Sequence, residues 1–176
     1  KGKRGIIFGA LNDKSIAWHV ALKAWQNGAE LILTNSPVAA RMGTINELAE
    51  KTSSSVIVAD ATSMNDIDRL IVQSMEIFGG RFDFILHSIG MSPNVRKDIP
   101  YENTSYENML KTLDISALSF HRVLQTAYKY DSINEWGSVV ALSYVAAQRT
   151  LAGYNDMGDA KALLESIARS FGYIYG

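Results

Sequence analysis

The sequence contains no cysteine, and this absence excludes several kinds of chemistry at once. A chain without thiols forms no disulfides, carries no thiolate nucleophile and binds no zinc through sulfur. Histidine is also scarce, and the three residues, His19, His87 and His121, stand far apart. No two of them have the short spacing of a metal-binding motif. We therefore expect no metal site.

An excess of charge of one sign is missing too, and so are long apolar runs. The 17 basic side chains nearly balance the 18 acidic ones, which leaves a formal net charge of -1. A general nucleic-acid-binding surface would need a basic excess. No apolar run approaches the roughly 18–20 residues that span a bilayer, and the N-terminus does not read as a signal peptide. The composition predicts a soluble, cytoplasmic protein that binds neither nucleic acid nor membrane.

Short apolar runs alternate with segments of helical periodicity along the 176 residues. The predicted strands are Arg4–Gly9, Glu30–Thr34, Ser55–Asp60, Arg81–Ser88 and Gly137–Leu142. The predicted helices are Ser15–Asn27, Pro37–Glu50, Ser63–Phe78, Thr104–Tyr130 and Tyr154–Phe171, with Ser63 and Thr104 as capping residues. Alternating strands and helices indicate parallel βαβ units, and nearly all-apolar strands indicate burial on both faces. The sequence predicts a single doubly wound, Rossmann-like α/β domain over residues 1–176.

One stretch, Met91–Asn103, has neither period and contains Pro93 and Pro100. Irregular segments of this length inside a compact domain are usually lids or binding loops. A disordered excursion is the alternative interpretation.

The residues that follow the predicted strands are the first candidates for a ligand site. Ligands of open α/β sheets bind beyond the carboxyl ends of the strands. Most residues at these ends are small or polar, and they are Gly9, Thr34–Ser36, Asp60, His87–Gly90 and Ser143–Tyr144. Any one of them could be an ordinary turn residue, but together they predict a binding edge.

The turn Gly9–Ile16 does not carry the Gly-x-Gly-x-x-Gly fingerprint, since only Gly9 is present. Gly9 permits a tight turn, and Ser15 can cap the next helix while it offers a hydroxyl to a phosphate. The helix N-terminus adds unpaired N–H groups and a dipole that favours a pyrophosphate. An ordinary capped helix is the alternative.

The adenosine contacts stay open at this point. Strand two ends in Thr34-Asn35-Ser36, without the acid or base that usually recognises the ribose, and Arg41 further on reads as a solvated helix residue. Asp60 could accept a hydrogen bond from the adenine amino group, or it could cap the following helix.

Tyr154 and Lys161 are seven residues apart, about two helical turns, and therefore lie on one face of a helix. A lysine in this position can favour the phenolate, or it can hold a ribose while the tyrosine hydroxyl addresses a substrate. Tyr144 is expected in the same region. No tyrosine has a lysine four residues later, which is the spacing of most short-chain dehydrogenases. Gly-x-Ser-x-Gly elbows and P-loops are absent as well, which gives hydrolases and phosphotransferases little support.

These motifs, in this order, resemble the NADH-dependent bacterial enoyl-acyl carrier protein reductases, a divergent branch of the short-chain dehydrogenase/reductase superfamily. The resemblance covers essentially the whole chain. Its most specific motif is the wide Tyr-x6-Lys spacing, because this spacing separates the branch from ketoreductases. The matching segments are Gly9 with Ser15–Ala17, Gly28–Leu31, Asp60, His87–Gly90, Asp114–Ser116, Leu142–Tyr144 and Tyr154–Lys161.

The resemblance implies that NADH reduces the trans-2 double bond of an enoyl-acyl carrier protein thioester in fatty-acid elongation. It assigns Tyr154 to the thioester oxygen, Lys161 to the nicotinamide ribose, and Tyr144 to substrate positioning or proton supply. The substrate contacts that it implies are Ser92, Tyr144 and Tyr154. The cofactor contacts that it implies are Gly9, Ser15, Ile16, Ser36, Asp60, Ala61, Ser88, Ile89, Gly90 and Lys161.

Two features depart from the family pattern. The first is Ser36, which stands where relatives often carry glutamine. We still expect NADH rather than NADPH, because no basic residue directly follows strand two. The chain also stops at Gly176, before a sixth strand, its covering loop and a seventh strand of the family. We therefore expect a truncated domain with an unpaired sheet edge. The apolar residues expected to lack partners are Leu163, Leu164 and Ile167.

The resemblance further implies a homotetramer in which the helix Thr104–Tyr130 forms part of the interface. Two other functions stay open. The chain could be a non-catalytic NAD-binding fragment that lacks the substrate loop, or a carbonyl (3-oxoacyl) reductase of the same superfamily.

Overall fold

Five strands form one parallel sheet in a computed structural model that describes residues 1–176. The strands are β1 (Arg4–Phe8), β2 (Glu30–Thr34), β3 (Ser55–Val56), β4 (Phe82–His87) and β5 (Ile133–Ala141). Their order in the sheet is β3-β2-β1-β4-β5, so the direction of strand addition reverses between β1 and β4. This reversal is the switch point of a Rossmann sheet. The predicted Rossmann-like α/β fold is confirmed.

Eight α-helices and three shorter helical segments connect and follow the strands. The α-helices are α1 (Ile16–Gln26), α2 (Pro37–Met42), α3 (Ile45–Thr52), α4 (Met64–Phe78), α5 (Pro93–Arg96), α6 (Tyr106–Leu113), α7 (Ser119–Lys129) and α8 (Asn155–Tyr175). A π-helical segment, Asp114–Leu118, joins α6 to α7, and short 3-10 turns occur at Tyr101–Asn103 and Val145–Ala147. No helix combines the length and the apolar character that crossing a membrane requires.

The chain divides into two compact units, and the first comprises residues 1–88 and 125–140. Its core is the centre of the sheet, where Ile6 on β1 lies opposite Ile32 on β2 and Ile85 on β4. All three side chains are buried. Branched apolar residues suit strands that are covered on both faces, which explains why these runs were readable from the sequence.

The predicted second helix, Pro37–Glu50, is in fact two helices that are separated at Gly43. The backbone N–H of Thr44 donates to the carbonyl oxygen of Leu11 at 2.9 Å, which draws the chain out of the helical path. A Cβ at Gly43 would collide with that same carbonyl oxygen. The break is therefore caused by a contact with a distant turn.

Two predicted strands also differ in their bounds. The predicted strand Ser55–Asp60 is regular only at Ser55–Val56, although the N–H groups of Ile57 and Ala59 still donate to the β2 side, to Leu33 and Asn35. It is an edge strand, so only one side pairs. The predicted Gly137–Leu142 is the second half of the longer β5.

The second unit comprises residues 89–124 and 141–176, and α8 is its main element. Leu164 and Ile167 on α8 are only 2% and 7% exposed, so the expectation that they lack partners is wrong. The π-helical segment and α6 pack against α8, and the ring of Phe171 meets that of His121 edge to face at 5.1 Å. Leu163 is half-buried.

The stretch 91–103 is ordered rather than a disordered excursion. It contains α5, which Ser92 caps by accepting a hydrogen bond from the N–H of Val95 at 3.0 Å. The predicted cap of the next helix is shifted by one residue: Ser105 accepts from the N–H of Asn108, whereas the Thr104 hydroxyl lies within hydrogen-bond distance of the Asn155 side chain. The cap at Ser63 is confirmed.

A buried carboxylate ties the N-terminal strand of the first unit to its neighbours. Asp83 on β4 is 9% exposed and accepts hydrogen bonds from the Lys3 ammonium at 2.7 Å and from the Arg4 N–H at 2.9 Å. The Asn134 amide donates to it at 3.2 Å. Burial by itself raises the pKa of Asp83, but these three donors outweigh burial, and the net pKa lies below the usual carboxyl value.

We predict that Asp83→Asn lowers the free energy of unfolding by about 1–3 kcal/mol at pH 7, because charge-assisted hydrogen bonds are lost. A carboxyl group with a lowered folded-state pKa stabilises the fold above about pH 4, and this contribution is lost as the pH falls through the folded-state pKa. The difference between wild type and variant should therefore shrink at acid pH. Urea unfolding of both proteins at pH 7 and at an acid pH below the folded-state pKa of Asp83 measures this difference in unfolding free energy. Asp131→Asn, which removes an exposed ion pair with Arg81, is the matched control and should change little. An equal deficit at both pH values would contradict this role.

Candidate functional site

The first group of predicted site residues lies in the first unit, where Gly9 follows β1. Gly9 adopts a φ of +90°, and a Cβ there would collide with the carbonyl oxygen of Ser88. Its N–H donates to the carbonyl oxygen of Thr34 at 3.1 Å. The ends of β1, β2 and β4 therefore approach each other so closely at this point that only glycine fits.

Ser15 stands at the N-terminus of α1 but does not cap it, contrary to the expectation. Its hydroxyl donates instead to the carbonyl oxygen of Asn12 at 2.7 Å, and no side chain caps α1. The first N–H groups of this helix therefore have no side-chain acceptor. Such a helix start is suited to an anionic group. Ile16, the first helical residue, is exposed.

The predicted adenosine contacts are partly engaged in local structure. Ser36 caps α2 by accepting from the Ala39 N–H at 3.3 Å. Asp60 accepts from the N–H and the hydroxyl of Thr62, at 2.9 and 2.8 Å. Since Ser63 caps α4, the capping alternative for Asp60 is excluded. Its contact with adenine stays a prediction, and so does the cofactor contact of the buried Ala61.

A shallow pocket of about 320 Å³ is formed by residues that are close in sequence to Ser36 and Asp60, but neither of these two residues lines it. It is lined by Pro37, Ala40, Arg41, Ile45, Asn46, Val56 and Val58. Arg41 is exposed at this pocket, which agrees with its interpretation as a solvated helix residue.

The second group of predicted residues lies in the second unit around Lys161 on α8. Lys161 is 6% exposed, and its ammonium donates to the carbonyl oxygens of Leu142 at 2.7 Å and Ile89 at 3.3 Å. Burial lowers the pKa of Lys161. Gly90 is also close, since a Cβ at that position would lie 3.7 Å from the lysine nitrogen. The predicted Lys161, Ile89 and Gly90 therefore do come together.

Tyr144 and Tyr154 form a stacked pair in the same unit. Their ring centroids are 4.7 Å apart, with a tilt of 33° between the rings. Burial, and to a smaller extent the neighbouring Tyr144, raises the pKa of Tyr154. Tyr154 is therefore a neutral hydrogen-bond donor at physiological pH. Because the Lys161 ammonium is directed at backbone carbonyls, the phenolate alternative receives no support from this geometry.

Ser92, the predicted substrate contact, is already engaged in the protein. Its buried hydroxyl donates to a carboxylate oxygen of Asp156 at 2.6 Å and accepts from the Val95 N–H. A contact between Ser92 and a substrate stays a prediction. Asp156 itself was not predicted, because an acid in the first turn of a helix is usually explained by the helix dipole alone.

Sequence reasoning also missed Glu165 on α8. Glu165 accepts from the hydroxyl of Ser143 at 2.7 Å and from the amide of Gln148 at 3.2 Å, so it holds both sides of Tyr144. The available signal was its spacing, since it follows Lys161 by four residues and lies on the same helix face.

The segment Asp114–Ser116 has a structural role. The buried Ser116 hydroxyl accepts from the N–H of Met91 at 3.0 Å and donates to the Met91 carbonyl oxygen at 3.1 Å. Because Met91 follows Gly90 directly, this π-helical segment fixes the backbone beside Lys161. Such segments inside α-helices often occur at functional sites.

Sheet order, the glycine turn at Gly9 and the Tyr154–Lys161 pair define this chain as a Rossmann-type α/β protein of the short-chain reductase kind. A sequence model described as "Enoyl-(Acyl carrier protein) reductase" matches residues 9–176. The chain belongs to the enoyl-(acyl carrier protein) reductase family, and the resemblance noted in the sequence is confirmed.

Individual relatives agree with this assignment. The chain is 35% identical over 169 residues to enoyl-[acyl-carrier-protein] reductase [NADH] 1 of Rhizobium meliloti (strain 1021), covering 96% of this chain and 61% of the relative. Crystal structures of FabI from Alistipes finegoldii are 66% identical and cover 100% of this chain. The TM-score is 0.97 for the crystal structure of FabI, of which 67% is covered. It is 0.98 for the FabI–NADH complex, of which 62% is covered. The chain thus spans about three fifths of the curated relative's length.

We predict that Tyr154 loses its proton only above the ordinary tyrosine pKa of about 10. Carbon-13 NMR of ring-labelled tyrosine measures the titration, and Tyr154→Phe assigns the signal. Tyr144→Phe keeps the stacked ring but removes the second ionisable hydroxyl. It should lower the Tyr154 pKa only part of the way towards 10, since burial is the larger cause. A midpoint at or below 10 in the wild type would contradict the raised pKa of Tyr154.

Proposed function

We propose that this chain carries the cofactor-binding and catalytic residues of an NADH-dependent enoyl-acyl carrier protein reductase. Its reaction would reduce the trans-2 double bond of an enoyl thioester in fatty-acid elongation. The observation that carries the proposal is Tyr154, whose ring packs on that of Tyr144 and whose raised pKa keeps its hydroxyl neutral, together with the buried Lys161 seven residues later. Family membership and the NADH-bound neighbour support the cofactor and the substrate class.

Each of the two units offers groups that suit a part of a dinucleotide. Gly9 leaves no side chain at the end of β1, and the start of α1 offers uncapped N–H groups for a pyrophosphate. The Lys161 ammonium has three N–H groups, of which the carbonyls of Leu142 and Ile89 take two. The third can donate to ribose hydroxyls. Bound NADH would supply the hydride equivalent of the reduction. NADH is favoured over NADPH because no base directly follows β2.

Tyr154 would act on the thioester oxygen. Negative charge would develop on this oxygen as the double bond is reduced, and the Tyr154 hydroxyl would donate to it. Its raised pKa suits this role, because the proton stays on the phenol at neutral pH. A donor of this kind is commonly worth about 3–4 kcal/mol in the transition state. Tyr144 would position the acyl group or supply a proton, and Ser92 would contact the substrate.

The assembly and location follow the same proposal. A cytoplasmic homotetramer is expected, with the helix from α6 to α7 in an interface. Exposed apolar side chains on α6, Tyr106 and Leu110, are consistent with such a contact.

The reaction can be tested by following NADH absorbance with two thioesters. We expect the chain to oxidise NADH faster with crotonyl-CoA than with acetoacetyl-CoA. The reverse order would contradict the proposal and favour a carbonyl reductase, against which the Tyr-x6-Lys spacing already argues. NADH binding without turnover of either thioester would favour a non-catalytic NAD-binding module.

We predict that Tyr154→Phe lowers turnover by about a hundredfold to a thousandfold and leaves NADH affinity nearly intact, because only the transition-state donor is removed. Turnover assays and fluorescence titration with NADH measure the two effects. Tyr173→Phe is the matched control, since Tyr173 lies on the same helix and is 90% exposed. A collapse of NADH binding in the Tyr154 variant would show that its hydroxyl has a different role.

A further inference from the structure

The second unit contains a buried carboxylate that the proposed reaction does not use. Asp156 on α8 is 0% exposed and has no cationic partner. It accepts from the Ser92 hydroxyl at 2.6 Å, the Asn94 amide at 2.7 Å and the Thr112 hydroxyl at 2.9 Å. A buried charge is costly unless such donors satisfy it. Ser92 caps α5, Asn94 lies in α5 and Thr112 lies in α6, so this one side chain joins α5 and α6 to α8.

Asn155, which precedes Asp156, provides a second attachment between the first turn of α8 and the preceding segment. Asn155 donates from its amide to the carbonyl oxygen of Ile99 at 2.6 Å. Its side-chain oxygen lies 2.9 Å from the Thr104 hydroxyl, whose proton is shared with the carbonyl oxygen of Tyr101. The φ of Asn155, +39°, lies in the left-handed region, which asparagine tolerates better than most other non-glycine residues. The first turn of α8 is therefore attached to the 92–112 segment at two consecutive residues.

Tyr154 directly precedes these two residues and stands at the N-terminus of α8. Tyr154 does not cap this helix with its own side chain, and the Asn155 side-chain oxygen instead accepts from the Asp156 N–H at 2.6 Å. The hydrogen bonds of Asn155 and Asp156 therefore help to hold its first turn. On its other side Tyr154 stacks on Tyr144. Any shift of the first turn would move the Tyr154 ring along Tyr144 and displace its hydroxyl.

We propose that Asp156 is a positioning residue that holds the Tyr154 hydroxyl in place by anchoring the first turn of α8 to α5 and α6. The inference rests on the proposed function for its catalytic consequence. An apolar side chain at position 156 would leave the Ser92, Asn94 and Thr112 donors without an acceptor and would fix no direction between the segments. Charge-assisted hydrogen bonds to both carboxylate oxygens instead determine direction and distance. The stabilisation that a hydrogen-bond donor gives to a developing charge depends on this direction and this distance.

The test first compares two variants of Thr112, one of the three donors to Asp156. Thr112→Val is nearly isosteric and removes the hydroxyl, whereas Thr112→Ser keeps it. The Thr112 proton is shared with the Asn108 carbonyl oxygen, so Asp156→Asn serves as a second variant that acts on the carboxylate itself. Asp83→Asn is the matched control, because it alters another buried carboxylate with three donors, in the first unit.

Two readouts are needed, and only one depends on turnover. The first is the nuclear Overhauser effect between the rings of Tyr144 and Tyr154, recorded without cofactor or substrate. The second is the steady-state rate with NADH and crotonyl-CoA. We expect Thr112→Val and Asp156→Asn to lose the ring-to-ring signal and to lower kcat by about tenfold or more, while the KM for NADH stays the same. Thr112→Ser and Asp83→Asn should resemble the wild type in both.

Three results would overturn the positioning role. These are an unchanged ring-to-ring signal in both Thr112→Val and Asp156→Asn, the same loss in Thr112→Ser, or the same loss in Asp83→Asn, which would indicate general loosening. If the wild type itself reduced no enoyl thioester, the proposed function would fail, but the ring-to-ring signal would still decide the positioning of Tyr154.

Discussion

The buried ammonium of Lys161 is the constraint on which the second unit depends. A cation that is almost removed from water must be compensated, and the carbonyl oxygens of Leu142 and Ile89 do so. The chain segments that carry these carbonyls are thereby held against α8. Tyr144 and Gly90 belong to the same segments. The interaction that satisfies the lysine charge therefore also assembles the candidate site.

Helix α8 combines two kinds of contact. Apolar side chains such as Leu164 and Ile167 bury surface against the π-helical segment and α6, which contributes stability but little orientation. Polar side chains provide the orientation, since each binds a different segment: Asp156 binds the region of α5 and α6, Lys161 the segments at Ile89 and Leu142, and Glu165 the segment around Tyr144. The hydrogen bonds of Asp156 hold the chain next to Tyr154, and those of Glu165 hold the chain around Tyr144.

Much of the fold and some of the site could be predicted from local sequence. Apolar runs such as Glu30–Thr34 mark strands with the bounds that the structure shows, and the predicted helix that carries Lys161 is α8. Tyr154 precedes the first residue of α8, so the expectation that it shares one helix face with Lys161 stays a prediction. Predictions about single polar groups were less successful. Ser15 bonds to Asn12 instead of capping α1, and Ser105 replaces Thr104 as a cap. Short hydroxyl side chains have several nearby acceptors of similar energy, so local pattern does not decide among them.

The sequence by itself determined the alternation of strands and helices, the glycine turn, the tyrosine–lysine spacing and the family. Only the tertiary structure decided what each polar group binds. It broke the predicted helix at Gly43 through a contact with Leu11, and it brought Ser92, Asn94 and Thr112 to Asp156 across 44 to 64 residues of chain. Periodicity reports which face of an element is buried, because burial repeats along the chain. Hydrogen bonds between distant segments leave no such repeat, and they become visible only when the chain has folded.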